Sequence, residues 1–189
     1  MVQEIIQLNM EVVSGFGSIE PLFIFSVIFI AGFLAFKNYL KQAILALATL
    51  GSYFYSVVLK FWFKIPRPKN APVLTIGRFE ADKYGFPSSH TVMYTVFWGF
   101  LIYLLFRVEL FKKCKFLKTA LFIISTYFLL LVGFSRVYLN YHSIRDVAAG
   151  YLFGGIYLGV LILLDRVKVP FLETESGEEV LSENQEQNN

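Results

Sequence analysis

A histidine and an aspartate stand at a spacing that could support nucleophilic or acid–base chemistry. His142 and Asp146 are four residues apart, so on a helix they would share one face and the carboxylate could accept a hydrogen bond from the imidazole. Such a pairing fixes the imidazole tautomer, leaves the other ring nitrogen with its lone pair outward, and stabilises an imidazolium during a reaction. The alternative interpretation is a purely structural ion pair.

A second histidine, His90, follows a segment that is typical of a helix start. Pro87, Ser88 and Ser89 precede an apolar run, and either serine could be a simple N-cap. A helix N-terminus also presents N–H groups and the positive end of the helix dipole, which together favour an anion. His90 would then lie beside that anion.

Three cationic side chains accompany these segments. Lys60 falls near the end of an apolar segment, Arg67 is held between two prolines, and Arg136 shortly precedes the His–Asp pair. Ammonium and guanidinium groups at a membrane surface can bind phosphate oxygens. Lys60, like Lys64, could instead be an anchor whose stem lies in lipid and whose charge reaches water.

Together these residues favour phosphoryl transfer. The three cations would neutralise the phosphate, His142 would attack phosphorus, and His90 would protonate the leaving oxygen. No further His, Cys or paired carboxylates cluster near these histidines, so we predict neither a metal ion nor another cofactor. The single cysteine, Cys114, excludes an intrachain disulfide.

The segments between these polar residues are strongly apolar. The 189 residues are 56% hydrophobic and 16% charged, and the mean hydropathy is +0.58. The chain has more apolar side chains than one small core can bury, which indicates that some of them face lipid. We therefore predict that the partner is the bilayer and not nucleic acid. Five segments approach the roughly 20 residues that cross a bilayer. We predict transmembrane helices over residues 20–36, 42–63, 91–106, 116–134 and 147–164.

The predicted fold is an all-α polytopic transmembrane bundle of five spans. Residues 2–13 mix apolar and polar side chains, which predicts an interfacial helix or a reduced sixth span. They lack a basic region and a cleavage site, so we do not expect a signal peptide. Residues 1–169 would form a single membrane-embedded domain. Residues 170–189 hold six Glu and no Lys or Arg, which predicts an acidic, disordered, cytoplasmic tail.

The basic residues of the connections predict the orientation. One set of connections is rich in Lys and Arg, and the positive-inside rule places that set in the cytoplasm. Its members are Lys37, Lys41, Arg107, Lys112, Lys113, Lys115, Lys118, Arg166 and Lys168. The two connections that carry the polar clusters, about 64–90 and 135–146, then face outward. We therefore predict an integral protein of the cytoplasmic membrane with its site on the outer or periplasmic side.

The polar clusters resemble the tripartite signature of the type 2 phosphatidic acid phosphatase superfamily, in its integral-membrane branch. That signature runs Lys, six residues, Arg-Pro; then Pro-Ser-Gly-His; then Ser-Arg, five residues, His, three residues, Asp. Every spacing is matched here by Lys60 to Arg67-Pro68, by Pro87-Ser88-Ser89-His90, and by Ser135-Arg136 to His142 to Asp146.

The resemblance implies a role for each matched residue. His142 would be the nucleophile that becomes a phosphohistidine, Asp146 its orienting partner and His90 the general acid. The implied phosphate ligands are Lys60, Arg67, Ser88, the backbone of Ser89, and Arg136. Two features depart from the family pattern: Ser89 replaces a glycine, which bears on how closely its N–H approaches phosphate, and relatives commonly have six spans.

The predicted function is a metal-independent phosphatase that removes phosphate from a lipid phosphate or polyprenyl diphosphate. Undecaprenyl diphosphate is the first candidate substrate, and phosphatidylglycerol phosphate, phosphatidic acid and lipid A phosphate also fit. A lipid phosphotransferase would use the same site. A non-catalytic anionic-lipid binder or transporter would use the cations but needs no His–Asp pair, and a serine hydrolase would require a Gly-x-Ser-x-Gly turn that is absent.

Two other patterns are best explained by packing. Gly150-x-x-x-Gly154 and Gly155-x-x-x-Gly159 permit close helix contact, either within the bundle or in a homodimer. Aromatic side chains near the clusters fit membrane anchors and bundle packing better than a substrate groove. They are Phe61, Trp62, Phe63, Trp98 and Tyr138.

Overall fold

The structure is a computed structural model that describes residues 2–18, 20–68, 71 and 80–167, and this part of the chain is almost entirely helical. The helices are α1 (Val2–Ser18), α2 (Glu20–Phe36), α3 (Leu40–Ala48), α4 (Gly51–Phe63), α5 (Ser89–Arg107), α6 (Glu109–Lys112), α7 (Lys115–Tyr138) and α8 (Ile144–Arg166), with a 3₁₀ helix over Glu80–Lys83. The all-α prediction is confirmed. The predicted acidic tail, residues 170–189, lies outside the described residues.

The helices lie over the predicted spans, but the single helix predicted over 42–63 is divided into α3 and α4 at Thr49 and Leu50. Within the part of the chain that the structure describes, four stretches are long and apolar enough to cross a membrane: Leu40–Phe63, Ser89–Arg107, Lys115–Tyr138 and Ile144–Arg166. A shorter apolar helix covers Leu22–Phe36. Helices satisfy their own backbone polar groups, which lipid cannot do, so these stretches define an integral membrane protein built as a helical bundle.

The N-terminal helix α1 lies alongside α7. The Tyr127 hydroxyl donates to Asn9 Oδ1 at 2.6 Å, and one Arg136 nitrogen donates to Ser14 Oγ at 2.5 Å. Both contacts advance in the same direction along the two helices, so α1 and α7 run parallel. A helix of 17 residues extends about 25 Å. This arrangement favours the reduced sixth span over the interfacial helix.

The central element is α5, most of whose side chains are buried. Glycines on α8 bring that helix close to it: a Cβ added at Gly150 would lie 2.7 Å from Thr91 Cβ, and one at Gly154 would lie 2.8 Å from Thr95 Cβ. A Cβ added at Gly155 would meet no atom within 4 Å. The first Gly-x-x-x-Gly pattern therefore packs α8 on α5 within the chain.

The aromatic side chains divide between packing and exposure. Trp98 is buried and its ring stacks on Phe128 with centroids 5.0 Å apart. Trp62 is 81% exposed on the outside of α4, as a membrane anchor would be. Phe63 packs edge-on against Phe86 at 5.0 Å, beside the segment that leads into α5.

A buried carboxylate joins three helices at the end of α8. Asp165 accepts hydrogen bonds from the Tyr103 hydroxyl at 2.6 Å and from Gln42 Nε2 at 2.8 Å, and its carboxylate lies 3.4 Å from Arg107 Nε. The Lys41 ammonium donates to the Asp165 carbonyl oxygen at 2.5 Å. These bonds hold α3, α5 and α8 together at the end of the bundle opposite His142.

Candidate active site

The starts of α5 and α8 meet at the other end of the bundle. The Ser88 N–H, just before α5, donates to the Asp146 carbonyl oxygen in the first turn of α8 at 3.0 Å. Ser88 is fully buried and receives a hydrogen bond from the Thr91 hydroxyl at 3.1 Å. This contact brings the second and third polar clusters of the sequence together.

His142 lies in the turn between α7 and α8, not on a helix. The premise that His142 and Asp146 share a helical face is therefore wrong, because α8 begins only at Ile144. The two side chains still meet: His142 Nδ1 lies 3.6 Å from Asp146 Oδ2. That separation is slightly longer than a hydrogen bond, and both residues are buried.

A capping box positions the carboxylate. The Ser143 hydroxyl accepts the Asp146 N–H at 3.3 Å, and Asp146 Oδ2 accepts the Ser143 N–H at 2.8 Å. This reciprocal pair satisfies two backbone donors at the start of α8. The same oxygen that caps the helix therefore faces His142, so helix formation and imidazole orientation depend on one carboxylate.

The last turn of α7 supplies Arg136 and anchors the turn that carries His142. The Arg136 carbonyl oxygen accepts the N–H groups of Tyr141 at 3.1 Å and His142 at 3.2 Å. The Arg136 guanidinium is 1% exposed and lies 4.2 Å above the centre of the Tyr141 ring. One terminal nitrogen of the guanidinium donates to Ser14, whereas Nε has no hydrogen-bond partner among the described residues.

Lys60 and Arg67 approach the same place from the end of α4. Lys60 is buried and its ammonium donates to the Tyr84 carbonyl oxygen at 2.6 Å. Arg67 donates to the Tyr141 carbonyl oxygen at 3.4 Å, a long hydrogen bond. The backbone of Arg67 packs closely against Gly85: a Cβ added at Gly85 would lie 3.0 Å from the Arg67 Cα. This packing holds Arg67 in place.

His90 occupies the first turn of α5, facing this group of cations. It lies within electrostatic range of the cations Arg136, Lys60 and Arg67 and of the His142 imidazole. Ser89 is the first residue of α5 and is half-buried, so the predicted N-cap position belongs to Ser88, whose side chain makes no capping bond to the helix. All eight predicted site residues therefore lie at one end of the bundle.

Burial and positive neighbours change the titration of His142. Desolvation, together with the charges of Arg136, Arg67 and Lys60, lowers its pKa to about 4, although the nearby Asp146 carboxylate acts in the opposite direction. His142 is therefore a neutral imidazole at physiological pH. A neutral ring is the nucleophilic form.

Three contacts at this site were not found from the sequence. Ser14, on α1, touches Arg136, and no motif marks it. The carbonyl oxygens of Tyr84 and Tyr141 receive the cations, and backbone acceptors carry no side-chain signature. The capping box of Ser143 and Asp146 was readable, because Ser followed three residues later by an acidic residue is a helix-start pattern.

Among the described residues there is no group of three or more His, Cys, Asp and Glu side chains that could hold a metal ion. The residues that gather at the site are instead cations, hydroxyls and two imidazoles. Cationic and hydroxyl groups of this kind suit an anionic ligand.

The fold and site can be compared with known proteins. The family model of the PAP2 superfamily matches residues 41–169, which is more than half of the chain. The chain is 30% identical to lipid phosphate phosphatase delta of Arabidopsis thaliana over 116 residues, covering 58% of this chain and 27% of that protein. It is 32% identical to phosphatidylglycerophosphatase B of Bacillus subtilis over 97 residues, covering 51% and 44%.

The crystal structure of a transmembrane PAP2 type phosphatidylglycerolphosphate phosphatase from Bacillus subtilis superposes with a TM-score of 0.67 at 23% identity. The match covers 88% of this chain and 79% of that one, and shows that the fold is shared. The chain covers less than half the length of the two curated relatives it matches above. The family match is decisive for classification: this chain belongs to the PAP2 superfamily.

Proposed function

We propose that this protein is a metal-independent lipid phosphatase that works through a phosphohistidine at His142. The observation that carries the proposal is the environment of that imidazole. It is buried, neutral, 3.6 Å from the Asp146 carboxylate, and within electrostatic reach of Lys60, Arg67 and Arg136. An anion-binding pocket has no need of a nucleophile oriented by a carboxylate, which argues against a non-catalytic binder.

In the first step, His142 attacks phosphorus. With Nδ1–H directed at Asp146, the lone pair of Nε2 forms the new N–P bond while the bond from phosphorus to the lipid oxygen breaks. The negative charge of the bound phosphate favours protonation of His90, which then gives this proton to the leaving oxygen, so the lipid departs as an alcohol or, from a diphosphate, as a monophosphate. Asp146 stabilises the positive charge that develops on the imidazole.

In the second step, water attacks the phosphorus of the phosphohistidine. His90, now neutral, takes a proton from that water, the N–P bond breaks, and inorganic phosphate leaves with His142 restored to its neutral form. The cations Lys60, Arg67 and Arg136, with the Ser88 hydroxyl and the N–H of Ser89 at the start of α5, would bind the phosphate oxygens in both steps. Charge neutralisation by these groups replaces the metal ion that many phosphatases use.

The substrate class follows from where the site lies. It stands at one end of a bundle whose spans are lipid-facing, so a phosphate on a lipid headgroup reaches it while the tail stays in the bilayer. Names of similar proteins support a lipid phosphomonoester, and phosphatidylglycerol phosphate is favoured by two of them. Undecaprenyl diphosphate, suggested by the predicted outward orientation, is the diphosphate candidate.

A panel of purified lipid phosphates tests this function. The full chain in detergent micelles is assayed for phosphate release with EDTA present, on phosphatidylglycerol phosphate, phosphatidic acid, a sphingoid base phosphate and undecaprenyl diphosphate. We expect turnover of at least one lipid phosphate that EDTA leaves unchanged. No release from any of them, or release that EDTA abolishes, would refute the proposal.

A further inference from the structure

A serine outside the three polar clusters contacts one of the predicted phosphate ligands. Ser14, near the C-terminal end of α1, accepts a hydrogen bond from a terminal guanidinium nitrogen of Arg136 at 2.5 Å. The two residues are 122 positions apart and both are buried, at 4% and 1% exposure. A buried charge-assisted hydrogen bond is stronger than an ordinary one, so this contact constrains the arginine.

The surroundings of Arg136 show which part of the guanidinium the contact leaves available. Its Cζ lies 4.2 Å from the centre of the Tyr141 ring, a cation–π contact that restricts the movement of the group. One terminal nitrogen is held by Ser14, while Nε is buried without a hydrogen-bond partner among the described residues. A buried donor without a partner is costly unless a ligand completes it. The Nε edge is therefore the edge that can meet phosphate in a two-pronged contact.

The backbone around Ser14 is itself held in place. The Tyr94 hydroxyl, on α5, donates to the carbonyl oxygen of Val13 at 2.5 Å. Val13 is completely buried, in the apolar cluster that includes Phe23 and Val132. The hydroxyl of Ser14 thus has a fixed position relative to α5 and α7, as a positioning group requires.

We infer that Ser14 is a positioning residue: it holds Arg136 so that the Nε edge of the guanidinium meets the phosphate group of the substrate. This inference rests on the proposed phosphatase function for its catalytic consequence. It gives α1 a part in the active site, although no residue of α1 belongs to the three polar clusters. The Nε edge of Arg136 would then already face the phosphate site before the substrate binds, which lowers the entropic cost of ordering the site.

Ser14→Ala tests the inference, with Ser125→Ala as the matched control. Alanine favours a helix, so the fold should survive. Ser125 is a buried serine on α7, and its hydroxyl has no hydrogen-bond partner among the described residues. The first measurement is the affinity for vanadate, a phosphate analogue, from the shift in unfolding temperature. We expect Ser14→Ala to weaken vanadate binding about tenfold and Ser125→Ala to leave it unchanged.

The second measurement is steady-state turnover of a lipid phosphate. Ser14→Ala should lower kcat about tenfold with little change in KM, because the arginine contact strengthens in the transition state while the lipid tail dominates binding. Ser14→Thr, which keeps the hydroxyl, should restore most of the activity. In an Arg136→Lys background, Ser14→Ala should add almost no further loss, since lysine lacks the guanidinium edge that Ser14 directs.

The outcomes separate this inference from the proposed function. Unchanged vanadate affinity in Ser14→Ala overturns the positioning role, whatever the activity. The positioning role is also overturned if Ser14→Ala lowers kcat by the same factor in the Arg136→Lys background as in the wild type. If the wild-type chain releases no phosphate from any lipid yet Ser14→Ala still weakens vanadate binding, the positioning of Arg136 stands and the phosphatase function fails.

Discussion

The amide of Ser88 and the carbonyl oxygen of Asp146 are joined by a hydrogen bond of 3.0 Å, which links the residue before α5 to the first turn of α8. Through this bond the serine proposed to bind phosphate and the carboxylate proposed to orient the nucleophile share one piece of backbone. The spacing between α5 and α8 therefore sets the geometry of the site directly.

Gly150→Ala should disturb this spacing. The new Cβ would lie 2.7 Å from Thr91 Cβ and 3.0 Å from the Ser88 carbonyl oxygen, so the helices must separate. We expect a loss of about 1–3 kcal/mol in stability and a clear fall in kcat. Gly155→Ala is the control, because its Cβ meets no atom within 4 Å. Thermal unfolding and turnover measured on both variants check this; equal effects at the two positions would contradict the packing assignment.

Asp146→Asn should separate the orienting effect of the carboxylate charge on His142 from the capping of α8. Asparagine keeps an oxygen that can accept the Ser143 N–H but removes the negative charge facing His142. We expect kcat to fall by roughly 100-fold or more, as when a carboxylate that orients a catalytic imidazole is neutralised. Asp165→Asn, at the opposite end of the bundle, should lower thermal stability while leaving kcat per folded molecule near the wild-type value. A kcat for Asp146→Asn within about threefold of wild type would remove the orienting role.

Much of this arrangement is predictable from sequence because lipid restricts the choices. A bilayer allows only structures that satisfy their own backbone, so apolar segments of the right length become helices and their ends must lie near its two surfaces. The two connections that carry the polar clusters are predicted on the same side of the membrane, which is the reason to expect the three clusters near one another. Spacing within each cluster then fixed the set of site residues.

The remaining features depend on packing that no local pattern records. Contact between Ser14 and Arg136 arises only when α1 lies along α7, and the mixed polarity of α1 left its placement open. His142 was expected on a helix because four residues separate it from Asp146. The capping preference of Ser143 starts α8 at Ile144, two residues after His142, and the pair forms across the cap instead.

The titration of His142 gives a prediction for pH. The chain has only two histidines, so NMR of imidazole-labelled protein should show two signals, assigned with His90→Gln. Burial lowers the pKa of His142 to about 4, and the corresponding signal should titrate near that pH. Because this pKa is lower in the folded state than in the unfolded state, the unfolded chain takes up the proton first. The free energy of unfolding should therefore decrease as the pH is lowered from about 6.5 to about 4. A midpoint at or above the ordinary value of about 6.5 would contradict the burial argument.

The proposed orientation can be tested with the chain's single cysteine. Cys114 is exposed in the turn between α6 and α7, on the side that we place in the cytoplasm. A membrane-impermeant maleimide should leave it unmodified in intact cells and modify it after permeabilisation. In a Cys114→Ser background, Lys64→Cys, exposed just beyond α4, should show the reverse pattern and react in intact cells. Labelling of Cys114 in intact cells would show that the topology is the reverse of the proposed one.

The most direct test of the central claim is the capture of the covalent intermediate. The full chain is mixed with a lipid phosphate, quenched in alkali, where phosphohistidine survives, and digested for mass spectrometry. The account predicts a phosphoryl group on the His142 imidazole within one turnover, and its complete absence in His142→Ala. Turnover by the wild-type chain with no such adduct, or with the phosphoryl group on His90, would contradict it.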